Sequence, residues 1–182
     1  MADRYNKSGL SELTTTPVEY ECETKGKFSA NRLPVPEKLS LKKGARVMAV
    51  RNDPMKRWVN GSLGTVMDLS DEEVFVRFDG HPAVRKIEPE KWDMINYKWS
   101  EADQKMIETT TASFQQMPLI LAWAVTIHKA QGLTLDDVRI DLGRGAFAMG
   151  QTYVALSRAR TLAGLSLTTP LRESDVRAGM RG

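Results

Sequence analysis

The strongest constraint on this chain is a series of short β-rich segments separated by tight turns between residues 38 and 97. Arg46–Val50 is entered through Gly44, and Leu63–Leu69 through Gly61. The acidic turn Asp68–Glu73 leads into Val74–Phe78, where bulky apolar residues dominate. Asp79-Gly80 supplies the next tight turn, and Val84–Glu88 a further short strand. Strands this short bury a common core by closing on one another, so the pattern predicts a small all-β barrel over residues 38–97.

The flanks read differently. Ala2–Leu13 is helix-like, and Val18–Glu23 alternates apolar and charged residues as a half-exposed strand does. Pro34 and Pro36 then mark an extended linker, because proline blocks both helix and central strand. Beyond the β-rich region, Pro118–Ala124 is an apolar strand, and Thr126–Thr134 reads as a loop entering a short helix. Val138–Leu142 is a strand, Gly150–Arg160 an amphipathic helix, and Leu165–Thr168 a closing strand before a basic tail. Strands alternating with helices predict a parallel α/β layer. The expected architecture is α/β, with residues 1–37 and 98–182 forming one unit and the barrel inserted between them.

Composition sets outer limits. The 182 residues are 41% apolar and 27% charged, the balance of a globular protein. No run approaches the roughly 18 apolar residues of a membrane span. The start, MADRYNKSGL, lacks the pattern of a secretory signal. A lone cysteine, Cys22, leaves no internal disulfide and no cysteine-based zinc site, and fits a reducing cytoplasm. Net charge is only +3, but Lys38, Lys42, Lys43, Arg46, Arg51, Lys56 and Arg57 crowd between residues 38 and 61 against Asp53 alone. Such a stripe attracts a phosphate backbone, and it also suits a plain solvated face.

Two segments carry chemistry. In Thr126-Ile127-His128-Lys129-Ala130-Gln131-Gly132-Leu133-Thr134, a hydroxyl, an imidazole and an ammonium lie within four residues after an apolar strand. Beside a helix start they would offer several donors to backbone phosphates, and Gly132 would permit a close approach. The same residues would equally make a capped helix start with an exposed histidine. In Gly150–Arg160 (GQTYVALSRAR), helical spacing puts Gln151, Val154 and Arg158 on one side, with Tyr153, Leu156 and Arg160 on a neighbouring stripe. A permanently charged planar fork such as Arg158 can stabilise a transferring phosphoryl group, or be an ordinary surface arginine.

The segment AWAVTIHKAQGLTLD (122–136) closely resembles motif V of RecD-like superfamily 1 DNA helicases, and GQTYVALSRAR (150–160) is similar to their motif VI. Upstream, Leu41–Met48 and Trp58–Gly64 look like the small Src-homology-3-like barrel inserted in that family's second RecA-like lobe. The resemblance covers about Asn6 to Leu167. It implies an ATP-dependent, 5′-to-3′ DNA helicase, of the kind found as an exonuclease V alpha subunit. Thr126, His128 and Lys129 would contact single-stranded DNA, with Lys42, Lys43 and Arg46 as further DNA contacts from the basic stripe. Gln131 and Gly132 would face the ATP, Gln151 and Tyr153 would shape its surroundings, and Arg158 would be the catalytic arginine finger. Asn60, Gly61 and Gly64 read as barrel geometry. Ala130 stands where relatives often have serine.

No P-loop is present. Gly26-Lys27 is followed by Phe28 and lacks the upstream glycine of Gly-x-x-x-x-Gly-Lys-Ser/Thr. The acidic run Asp71-Glu72-Glu73 sits in a hairpin turn and reads as solvated rather than as a magnesium site. ATP and Mg2+ are therefore expected on an N-terminal RecA-like lobe outside this chain, which would be an inactive part of a longer, monomeric, cytoplasmic protein. The rival reading is a nucleic-acid- or protein-binding module without motor activity. A nuclease is disfavoured, since the two histidines, His81 and His128, stand apart and no acidic metal cluster is visible.

Overall fold

The computed structural model describes residues 1–26, 33–100 and 104–176. Lys27, Phe28, the Arg32 end of the proline linker and the last part of the basic tail lie outside the described residues. Contacts divide the chain into two compact units, Met1–Ala124 and Val125–Gly182.

The first unit opens with helix α1 (Ala2–Glu12), followed by strands β1 (Val18–Glu21), β2 (Glu23–Lys25) and β3 (Lys38–Leu41). The β-rich region supplies β4 (Arg46–Ala49), β5 (Leu63–Leu69), β6 (Val74–Phe78) and β7 (Val84–Ile87). These four run as an antiparallel sheet in chain order, as the turn signals predict. Burial alternates along β6, with Val74, Val76 and Phe78 inside, which is the period of a sheet covered on one face. Gly64 lets β5 and β6 approach: a Cβ there would sit 2.7 Å from Val76 Cγ1 and 2.8 Å from the Arg77 carbonyl.

The core joins this sheet to its neighbours. Leu41, Val47, Val66, Val74, Val76 and Leu119 are almost wholly removed from water, with Trp58 stacked on Phe78 at 5.3 Å between ring centroids. Tyr20, Leu39 and Leu41 come from the antiparallel pair β1–β3, so that pair packs on the same core. Among the described strands no hydrogen-bonded ladder joins the two ends of the sheet, so the closed barrel expected from the turns is an open five-stranded sheet.

Its fifth strand is β10 (Leu119–Leu121), which pairs antiparallel with β4, Leu119 opposite Ala49. This corrects the expectation that the apolar run 118–124 belongs to a parallel layer: its side chains complete the β core instead. A long hairpin of β8 (Glu90–Ser100) and β9 (Lys105–Gln116), with β2 on its outer side, also crosses the boundary drawn at residue 98. The buried Gln116 ends it, donating through Nε2 to the carbonyls of Tyr20 (3.0 Å) and Glu37 (3.0 Å) and accepting from Met117 N–H (2.9 Å). Helix α1 docks through Asn6, which donates to Ala124 O and accepts from Ala124 N, both at 2.9 Å.

The second unit is the parallel α/β element the sequence predicts. β11 (Val138–Ile140) pairs parallel with β12 (Leu165–Leu167), and helix α2 (Gln151–Leu156) lies between them in sequence. A parallel bridge between Leu135 and Ala159 extends the pairing upstream. The expected helix after Thr126 does not form. One turn closes, Ala130 N–H to Thr126 O at 3.0 Å, and Gly132 at φ +87° ends it. No described helix is long and apolar enough to cross a membrane.

Candidate nucleotide- and DNA-contacting site

The turn at residues 126–134 holds three of the candidate phosphate contacts. Thr126, His128 and Lys129 are exposed, as are Gln131 and Gly132, while Ala130 is buried beneath them. The Thr126 hydroxyl accepts from Lys129 N–H at 3.4 Å, which pins the first half of the turn. The amides expected at a helix start thus belong to a tight turn, and its donors come from side chains more than from free N–H groups. Nothing within 4 Å would meet a Cβ at Gly132, so the glycine is required by its backbone angle and not by crowding.

Arg158 lies just past the C-terminus of α2 and is half-buried. Its Nε donates to Val154 O (3.0 Å), Nη1 to Leu133 O (2.9 Å) and Nη2 to the Ser157 hydroxyl (2.9 Å). Main-chain bonds run alongside, from Leu135 N–H to Arg158 O (2.8 Å) and from Arg160 N–H to Leu135 O (2.9 Å). The segment with Thr126, His128 and Lys129 is therefore fastened to the segment with Arg158. Arg160, on the neighbouring stripe, pairs with Asp136 at 2.8 Å.

Gln151 and Tyr153 differ in situation. The Gln151 side-chain oxygen accepts from Phe147 N–H (3.0 Å) and Ala148 N–H (3.3 Å), so it holds the loop that enters α2. Tyr153 is 76% exposed and stands on the open side of the helix near exposed Phe147 and Met149 in sequence. On the inner side Thr152 donates to Asp175 O at 2.5 Å, and the buried Asp175 carboxylate accepts from Ala146 and Arg172 N–H.

The basic stripe of the first unit is largely committed to protein partners. Lys42 donates to Leu13 O (2.7 Å), Lys43 stands 3.9 Å from Asp68, and Arg46 grips Asp79 with both terminal nitrogens at 2.9 and 2.6 Å. That fork holds the Asp79 carboxyl below its usual range, by hydrogen bonding first. Lys38 pairs with Glu19 and Glu21, Arg51 with Glu90, and Arg57 with the buried Asp53, whose carboxyl is likewise held low. The local excess of positive charge read from the sequence is thus mostly balanced in space. Among the described residues, no group of three His, Cys, Asp or Glu could hold a metal ion.

Sequence reading missed Ser157 and Leu133 as partners of Arg158. A carbonyl acceptor leaves no trace in residue type. Ser157, next to the arginine, was visible but had no spacing to distinguish it.

No family model matches the chain. It is homologous over most of its length to proteins named Pif1. The ATP-dependent DNA helicase Pif1 of Bdellovibrio bacteriovorus is 41% identical over 175 residues, which are 91% of this chain and 36% of that relative. The structure of an unliganded Pif1 from Bacteroides sp. superposes with a TM-score of 0.84 at 36% identity, over 97% of this chain and 40% of that one. A Bacteroides Pif1 helicase in complex with ADP-AlF3 and ssDNA gives 0.78 at 36% identity, over 96% and 39%. The chain thus spans roughly two-fifths of the length of these relatives, and their names point to Pif1 rather than to the RecD-like branch.

Proposed function

We propose that this chain is the C-terminal part of an ATP-dependent DNA helicase of the Pif1 kind, carrying the arginine finger and part of the single-stranded DNA grip. The observation that carries this reading is the 41% identity to a Pif1 helicase over 91% of the chain, which takes in residues of both segments 122–136 and 150–160. The Bacteroides relative bound to ADP-AlF3 and ssDNA supports the assignment of both ligands, since ADP with aluminium fluoride stands in for a transferring phosphoryl group.

In this reading ATP sits against a lobe that carries the P-loop, and Arg158 reaches its γ-phosphate. The planar guanidinium stabilises the charge that develops on the transferring group. Gln131 and Gly132 face the nucleotide, and Tyr153 offers an exposed ring beside it. Thr126, His128 and Lys129 hold strand phosphates without reading bases. Because the two segments are hydrogen-bonded together, a shift of the finger on hydrolysis is passed to the strand grip. The small sheet of the first unit is the Src-homology-3-like insertion, and translocation runs 5′ to 3′. In this reading Mg2+ would come with the nucleotide, held by residues of the lobe that carries the P-loop.

Lys42, Lys43 and Arg46 rank behind the turn residues as DNA contacts, because each already has a protein partner. That arrangement also weighs against a pure binding module built on the stripe. The test is steady-state ATPase of the full-length protein with and without single-stranded DNA, alongside DNA binding in a salt titration. DNA-stimulated turnover with salt-sensitive binding is expected. Absence of ATP turnover in the full-length protein would overturn the motor reading.

A further inference from the structure

Arg158 has five N–H donors, and three are already taken by oxygens of its own unit. The pattern of use is informative. Nε is fully committed to Val154 O, whereas Nη1 and Nη2 each give one of their two hydrogens, to Leu133 O and to Ser157 Oγ. Among the described residues one N–H is left on each terminal nitrogen, two charged donors for phosphate oxygens. The Ser157 hydroxyl is itself fixed, donating to Val154 O at 3.1 Å, so its lone pairs are aimed at the guanidinium.

We propose that Ser157 is a positioning residue for Arg158, its fixed hydroxyl and the Leu133 carbonyl holding the guanidinium so that the two remaining N–H groups present themselves to the γ-phosphate. The inference rests on Arg158 being the finger, as argued above. A side chain with several rotatable bonds loses freedom when it grips a ligand, and a fork already held in place is spared most of that loss. The benefit falls on the step in which charge develops, where fixed donors act without reorganising. It is therefore read in kcat and not in ATP affinity. Leu133 lies in the same turn as Thr126, His128 and Lys129, so one of the two positioning acceptors comes from the segment assigned to the DNA strand.

The test is a double-mutant cycle in the full-length protein, with ATPase measured at saturating single-stranded DNA. Ser157→Ala should lower kcat about tenfold, the size of one hydrogen bond to a charged group, with KM for ATP little changed. Ser157→Thr, which keeps the hydroxyl, should restore most of it. In an Arg158→Ala background, where no guanidinium is left to position, Ser157→Ala should have no further effect. An equal loss in both backgrounds would make Ser157 merely structural and overturn the proposal, as would a Ser157→Ala enzyme with unchanged kcat. If Arg158→Ala itself retains full turnover, the finger assignment fails, which is a separate result from failure at Ser157. Single-stranded DNA affinity and melting temperature, measured on each variant, identify one that has failed to fold, and the Ser157→Thr comparison then carries the test.

Discussion

Arg158 Nη1 donates to the carbonyl of Leu133 across 2.9 Å, joining the second residue past helix α2 to a turn 25 positions earlier in the chain. The bond needs an arginine: a lysine ammonium in place of the fork could satisfy one of Leu133 O, Val154 O and Ser157 Oγ well, not all three. Replacing Arg158 by alanine in the full-length protein is expected to lower ATP turnover about a thousandfold or more, the usual cost of a lost arginine finger. Single-stranded DNA binding, measured by fluorescence anisotropy, should survive. Near-normal turnover of the variant would remove Arg158 from the chemistry.

The turn and the basic stripe make opposite predictions for DNA. Lys129 is exposed, and none of its side-chain donors is tied to an ion pair among the described salt bridges, whereas Arg46 is locked to Asp79 and Lys42 to Leu13 O. Lys129→Ala should weaken single-stranded DNA binding and reduce the slope of log affinity against log salt by about one phosphate contact. Lys42→Ala should leave that slope unchanged. A larger loss of slope from Lys42 than from Lys129 would move the strand to the stripe.

Much of this was legible in the sequence, for identifiable reasons. The four strands β4 to β7 announce themselves through Gly44, Gly61 and Asp79-Gly80, whose turn chemistry fixes where each strand starts. The β11–α2–β12 element was equally clear, because its period switches from strand to helix and back. The hairpin β8–β9 was not. Its strand Lys105–Gln116 (KMIETTTASFQQ) is exposed along much of both faces, with Met106 at 55%, so no alternation marks it. The run 118–124 was recognised as a strand but misplaced, since an apolar stretch looks the same in a parallel layer and beside β4. Arg158 stood out by type. The neighbours that fasten it are backbone oxygens and a serine, which residue type alone does not reveal.

Acid should expose the Arg46–Asp79 fork. Asp79 has its carboxyl lowered in the folded state, so its contribution is complete above the ordinary carboxylate range and is lost as pH falls through the folded value. Both side chains reach water, Asp79 at 54% exposure, so the contribution is small, about 1 kcal/mol at neutral pH after solvent screening. Asp79→Asn should lower stability at pH 7 and flatten the fall in stability below about pH 4, followed by urea unfolding. Identical pH curves for the two proteins would show that the fork does no thermodynamic work.

Gln116 is a sterner case, because it is 2% exposed and its amide serves the backbone. Its Nε2 faces the carbonyls of Tyr20, Pro36 and Glu37, and its oxygen takes Met117 N–H. Gln116→Leu keeps the volume and strands these groups away from water. A loss of about 2–3 kcal/mol is expected in urea unfolding, the cost of unpaired buried polar groups. A neutral result would mean that water replaces the amide.

Two glycines of the second unit separate crowding from backbone strain. Gly164 immediately precedes β12, and its carbonyl accepts from Val138 N–H at 2.8 Å, beside the first residue of the parallel pair. A Cβ there would collide with the Asp136 carbonyl oxygen, which is backbone and cannot swing aside. Gly132, in the turn beside Lys129, has φ +87° and open space around the position a Cβ would take. Gly132→Ala therefore costs only the left-handed conformation, about 1–2 kcal/mol, and should fold. Gly164→Ala must push β11 and β12 apart or shift the 135–137 segment, for a loss of about 3 kcal/mol or more. Since Leu135 bonds to both Arg158 and Arg160, that shift also misplaces Arg158. Thermal melting should rank Gly164→Ala well below Gly132→Ala, and Gly164→Ala should also lose ATPase. The reverse order would mean that the turn at Gly132, and not the β11–β12 register, is what holds Arg158 in place.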